Sequence, residues 1–244
     1  MHLSPIEYIG SKPRKPKKKA TLIRVVVISF LVFIGIIGFY KFGATKLIAA
    51  QGNEVNKLSP QEFIKKNIGL DTVEEKFLRA ALERTEKSVT YDPRYYEISY
   101  PLGDIPENRG LCADVVVRTY REIGIDLQQL VYEDMMANYP SYPKSWELLK
   151  PDSNIDHRRV PNLKNFFLRN GENLTLSNDA QDYHYGDIVT WKLDHGASHI
   201  GIVVPSPIEN DSTPWVVHNV GLGPQWEDRL FEYEITGHFR YEVN

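Results

Sequence analysis

Residues 108–127 read NRGLCADVVVRTYREIGIDL and contain the single cysteine of a 244-residue chain. Val115, Val116, Tyr120 and Ile123 recur at three- and four-residue spacing, the pattern of one helix face. Gly124 stands where a helix-ending glycine belongs. The spacing predicts a helix over 112–123 that opens on Cys112. A thiol there meets free backbone N–H groups and the positive end of the helix dipole, which favour the thiolate over a free cysteine of pKa about 8.5. The same N–H groups can stabilise an oxyanion. A buried structural cysteine is the plain alternative.

Outward from this helix the texture differs on the two sides. Before it, residues 61–87 place Phe63, Ile64, Ile68, Val73, Phe77, Leu78, Ala81 and Leu82 at helical spacing. Ser59 and Glu62 resemble a capping box, with Pro60 at the first helical position. Residues 90–110 are rich in Pro, Gly and Tyr and read as turns and short extended pieces, and residues 128–170 as helix and loop. Beyond 180, GDIVTWKL, HIGIVV, PWVVHNV and GHFRYEV are short Val-, Ile- and Trp-rich runs between turn residues, the signature of antiparallel strands. The prediction is an α+β domain over 61–244, with N-terminal helices packed on a curved antiparallel sheet.

The N-terminus has a different character. Nine of the 29 Lys and Arg but one of the 32 Asp and Glu fall in residues 1–50, which leaves 20 basic and 31 acidic residues beyond. A mildly acidic body argues against nucleic acid as a partner. After the basic run KPRKPKKK, residues 25–40 carry no charge. They fall short of the roughly 20 residues that span a bilayer, but Arg24 can snorkel and extend the span to Thr21. The expected organisation is a basic cytoplasmic tail (1–20), a transmembrane anchor (21–40), a stalk (41–60) and the domain. The basic flank puts the N-terminus inside and the domain outside the membrane. A cleavable signal peptide is the rival reading; no good small-x-small site follows Tyr40.

A lone cysteine in an exported domain has no internal disulfide partner, which points to a reactive thiol or an intermolecular bridge. Nucleophilic chemistry then needs a base. Of seven histidines, His199 stands at the start of one expected strand and His218 at the end of the next. An antiparallel pair could bring them together, His199 as base and His218 as the group that orients it. His184, His195 and His238 read as surface or structural.

The segments GLCADVVVRTYREIGIDL, YGDIVTWKLDHGASHIGIVV and WVVHN together resemble the core of the NlpC-type cell-wall peptidases, a branch of the papain-like superfamily. More narrowly, YDPRYYEISYPLGDIPENRGLCADVVVRTYR, NIDHRRVPNL and GHFRY closely resemble a bacterial family catalogued as a domain of unknown function, number 1287. The wider resemblance implies a papain-like NlpC-type fold. It implies Cys112 as nucleophile, His199 as general base and His218 as third polar residue, with Asn219 as fallback. The 128–182 segment is longer than a minimal member would have, and Ala113 stands where Ser is commoner.

That segment is expected to build a substrate groove. His157, Arg158 and Arg159 in NIDHRRVP could clamp a carboxylate of a peptide stem, since guanidinium binds carboxylate bidentately; pairing with Asp152 and Asp156 is the bland reading. Tyr91 is a candidate near the oxyanion hole. Asp114 is expected to cap the helix or to pair with Arg118 at i+4. Asp182, His184, Asp194, His195 and His199 lack metal-site spacing, so no metal or other cofactor is expected. The function expected is a membrane-anchored cysteine hydrolase that cleaves an amide or peptide bond of peptidoglycan stem peptides. The alternatives are an acyltransferase or lipid deacylase with the same triad, and a non-catalytic cell-envelope binding module.

Overall fold

The computed structural model describes residues 57–144 and 150–241. The expected tail, anchor and stalk up to residue 56 lie outside them. Among the described residues, no helix is long and apolar enough to cross a membrane.

The domain is a mixed α+β structure with an antiparallel sheet. Helix α1 (Pro60–Asn67) starts as its sequence predicts: Ser59 and Glu62 form a reciprocal capping box, and Pro60 takes the first turn. The single helix expected over 61–87 is two. Ile68 turns extended, and Thr72 with Glu75 makes a second capping box that opens α2 (Val73–Arg84). Two local N-terminal signals within one apolar periodicity account for the break. Strands β1 (Thr90–Tyr91) and β2 (Arg109–Gly110) pair in parallel just before α3 (Cys112–Glu122). Gly124 has φ +85°, the left-handed conformation that ends α3.

Helix α4 (Leu127–Asn138) is capped by Asp126, and α5 (Val160–Asn170) follows a 3₁₀ turn at Asp156–Arg158. The remaining strands are β3 (Glu172–Asn173), β4 (Ile188–Lys192), β5 (Ser198–Val204), β6 (Trp215–His218), β7 (Gln225–Glu227) and β8 (Glu234–Arg240). They form one six-stranded sheet in the order β3-β8-β4-β5-β6-β7, every neighbour antiparallel.

Strand alternation divides the core. Ile188, Ile200, Ile202, Val204 and Val217 join the helices, including Cys112, Val116, Leu163 and Phe167, in the main cluster. Val189, Trp191, Val203 and Val216 turn to a smaller cluster with Tyr183 and Leu230. Strand β7 is not among the runs picked out in the sequence; Trp226 at its centre is buried.

Candidate active site

Cys112 is the first residue of α3. Asp114, three positions beyond Leu111, accepts the Leu111 N–H through Oδ2 at 2.6 Å, satisfying one free donor of the helix start. The cysteine is 5% exposed. Burial pushes its thiol up to about 11, with the Asp114 charge acting in the same direction. The N–H groups of Ile200, Ala113 and Cys112 itself face the sulfur and act against the rise. The lowered thiol pKa expected from the helix N-terminus is thus overturned, since desolvation of a thiolate here outweighs the dipole and the N–H groups. The N–H of Ile200 belongs to the residue after His199, so α3 brings the sulfur against the first half of β5.

His199 and His218 meet as expected. Residue His218 on β6 lies opposite Gly201 on β5, two positions from His199, and the diagonal brings His199 Nε2 within 2.8 Å of His218 Nδ1. Both rings are buried. Burial, then the neighbouring His218, pushes His199 down to about 3. Burial also lowers His218, with Glu227 opposing. The Trp191 ring lies 5.6 Å from the His199 ring, centroid to centroid, and 6.4 Å from that of His218, and its Nε1 donates to Leu230 O at 2.8 Å. His218 Nε2 lies 3.0 Å from Glu227 Oε2, and Arg229 Nε is 3.0 Å from the same oxygen.

Sequence reasoning missed Glu227. Its only signal was the alternation Gln-Trp-Glu, too short to stand out beside Gly223 and Pro224. Tyr91 pairs with Gly110 across β1 and β2. Partial burial raises its hydroxyl's pKa, and the charges of Cys112 and Asp114 add to the rise, so this half-exposed ring stands beside the thiol.

Three expected substrate-binding residues are not at the surface. Arg158 is 3% exposed, binds Asp114 twice and donates to Arg94 O and Asp92 O. Its guanidinium is committed inside the protein and cannot serve as a clamp for an incoming carboxylate. His157 is 2% exposed, and its Nδ1 is buried without a hydrogen-bond partner. Asn219 is fully buried; its Nδ2 donates to Gly110 O at 3.4 Å and its Oδ1 accepts from Gly221 N at 3.0 Å, whereas the ring bonded to His199 is that of His218. Arg159 pairs with Asp156 at 2.9 Å. The Asp114–Arg118 pair expected at i+4 is replaced by Arg118 on Asp104. His238 is a buried structural residue bonded to Asp187 at 2.8 Å. Among the described residues, no group of three or more His, Cys, Asp or Glu is placed to hold a metal ion.

Residues 78–241 match the family model described as Domain of unknown function (DUF1287). The chain belongs to the DUF1287 family. Among its relatives is "Uncharacterized protein YijF" of Escherichia coli (strain K12), 49% identical over 163 residues, which cover 67% of this chain and 79% of the relative. Cys112, His199, His218 and Glu227 all fall inside the DUF1287 match.

The electrostatics of this DUF1287 site define its resting state. Burial pushes the Cys112 thiol up to about 11 and the His199 imidazole down to about 3, which favours the neutral form of each at pH 7. Attack by this sulfur on a carbonyl would need its proton removed as the new bond forms.

Proposed function

We propose that this DUF1287 chain is a cysteine hydrolase of papain-like, NlpC-type fold, anchored in the bacterial cytoplasmic membrane by residues 21–40, which cleaves an amide or peptide bond of peptidoglycan stem peptides outside it. The observation that carries the reading is that Cys112, at the first turn of α3, faces the N–H of Ile200 on β5, the residue that follows His199 in the chain, and that the His199 ring is bonded to His218.

In this reading the Cys112 proton passes to His199 as sulfur attacks the carbonyl carbon. The N–H groups at the start of α3 bind the oxyanion. The C–N bond then breaks as His199 protonates the leaving amine, and a thioester remains. Water, losing its proton to His199, attacks the thioester; the acid product leaves and the thiol regains its proton. The peptidoglycan substrate is proposed on the resemblance of the cysteine and histidine segments to cell-wall peptidases.

Full-chain wild type and Cys112→Ala, incubated with isolated peptidoglycan and followed by mass spectrometry, test this. Cysteine-dependent fragments are expected, and their masses name the bond. Equal release by both chains, or none from the folded wild type, overturns the hydrolase. A second reading, a non-catalytic envelope-binding module, is favoured by the burial that keeps the thiol protonated; it predicts co-sedimentation with the polymer and no fragments from either chain.

A further inference from the structure

We infer that Glu227, acting through His218, is the positioning residue that keeps the lone pair of His199 on Nδ1. A carboxylate can only accept hydrogen bonds. Glu227 Oε2, 3.0 Å from His218 Nε2, therefore holds the proton of a neutral His218 on Nε2. The other nitrogen of that ring, Nδ1, is left as an acceptor. Its partner at 2.8 Å is His199 Nε2, which must then be the donor. Each neutral ring carries one proton, so His199 Nδ1 is left without one.

The chain of assignments starts at a charge that is itself held. Arg229 Nε lies 3.0 Å from the same Glu227 oxygen, and Arg229 NH1 reaches Glu232 Oε1 and Tyr233 Oη. Trp191 beside both rings limits their rotation. Among the described residues, Glu227 is the partner at Nε2 of His218 that selects between its two tautomers. The reverse assignment would put an N–H, which cannot take a proton, on His199 Nδ1. The catalytic consequence rests on the hydrolase reading above; the tautomers do not.

The test is a long-range ¹H–¹⁵N correlation on the full chain labelled with ¹⁵N-histidine, in wild type, Glu227→Gln and Glu227→Leu. The wild type is expected to carry its protons on Nε2 of both His199 and His218. Glu227→Gln keeps an acceptor oxygen and should keep the assignment, while folded Glu227→Leu should lose it. Cysteine-dependent hydrolysis in Glu227→Leu should fall at least about tenfold in kcat/KM with KM unchanged, and recover in the glutamine variant. A wild-type His218 protonated on Nδ1, or unchanged tautomers in folded Glu227→Leu, overturns the inference while leaving the hydrolase standing. The expected tautomers in a chain that leaves peptidoglycan intact sustain it and remove the hydrolase instead.

Discussion

Arg158 and Asp114, 44 positions apart, form a buried pair that ties the segment after α4 to the start of the cysteine helix, with Nε at 2.8 Å from Oδ1 and NH2 at 3.1 Å from Oδ2. The same carboxylate caps Leu111, so one side chain holds both the helix start and the arginine. Removing the cation strands a buried charge. Arg158→Met is therefore expected to lower stability by roughly 3–5 kcal/mol in urea denaturation. A surface clamp would lose substrate affinity with stability unchanged, and that result would reject the structural role.

Gly201 faces the histidines from the middle of β5. A Cβ there would meet Val217 O at 2.9 Å, His218 Cβ at 3.1 Å and the Trp191 ring at 3.2 Å. The carbonyl cannot retreat without breaking the β5–β6 ladder, so His218 and Trp191 must move. Gly201→Ala should cost about 1–3 kcal/mol of stability in urea denaturation and shift the imidazole resonances of both histidines; unchanged stability and resonances would reject the crowding.

The thiol's reactivity follows from its burial. With its pKa pushed up to about 11, about one Cys112 in 10⁴ is ionised at pH 7, against a few per cent for a free cysteine. Iodoacetamide should label the native chain about three hundredfold more slowly than the urea-unfolded chain at pH 7. The rate should rise about tenfold per pH unit above that. Rapid labelling at neutral pH would show a preformed thiolate.

The buried His157 makes stability depend on pH with a definite sign. Burial, helped by the Arg158 charge, pushes its pKa down to about 4 from the ordinary 6.5. Between those values the unfolded chain binds a proton that the folded chain does not, so stability falls as pH falls. The loss should be about 2 kcal/mol from pH 7 to pH 5. His199, pushed down to about 3, acts in the same direction. Unfolding free energies measured across this range should flatten by about the His157 share in His157→Gln, and an unchanged slope would exclude this residue as a source.

Much of the local architecture was legible along the chain, because capping and periodicity act over three or four residues. Ser59, Pro60 and Glu62 announce α1, Gly124 closes α3, and short apolar runs between turn residues mark β4, β5, β6 and most of β8. The places of His199 and His218 on successive strands already suggested that their side chains would be neighbours. The tertiary structure decided what depends on residues far apart in sequence. It buried Arg158 on Asp114, brought Glu227 to His218 through a strand too short to be read, and reversed the expected shift of the Cys112 thiol. The helix dipole could be inferred from Cys112's place in its own helix. Desolvation could not, because it is set by whatever packs over the sulfur, and no local pattern encodes that.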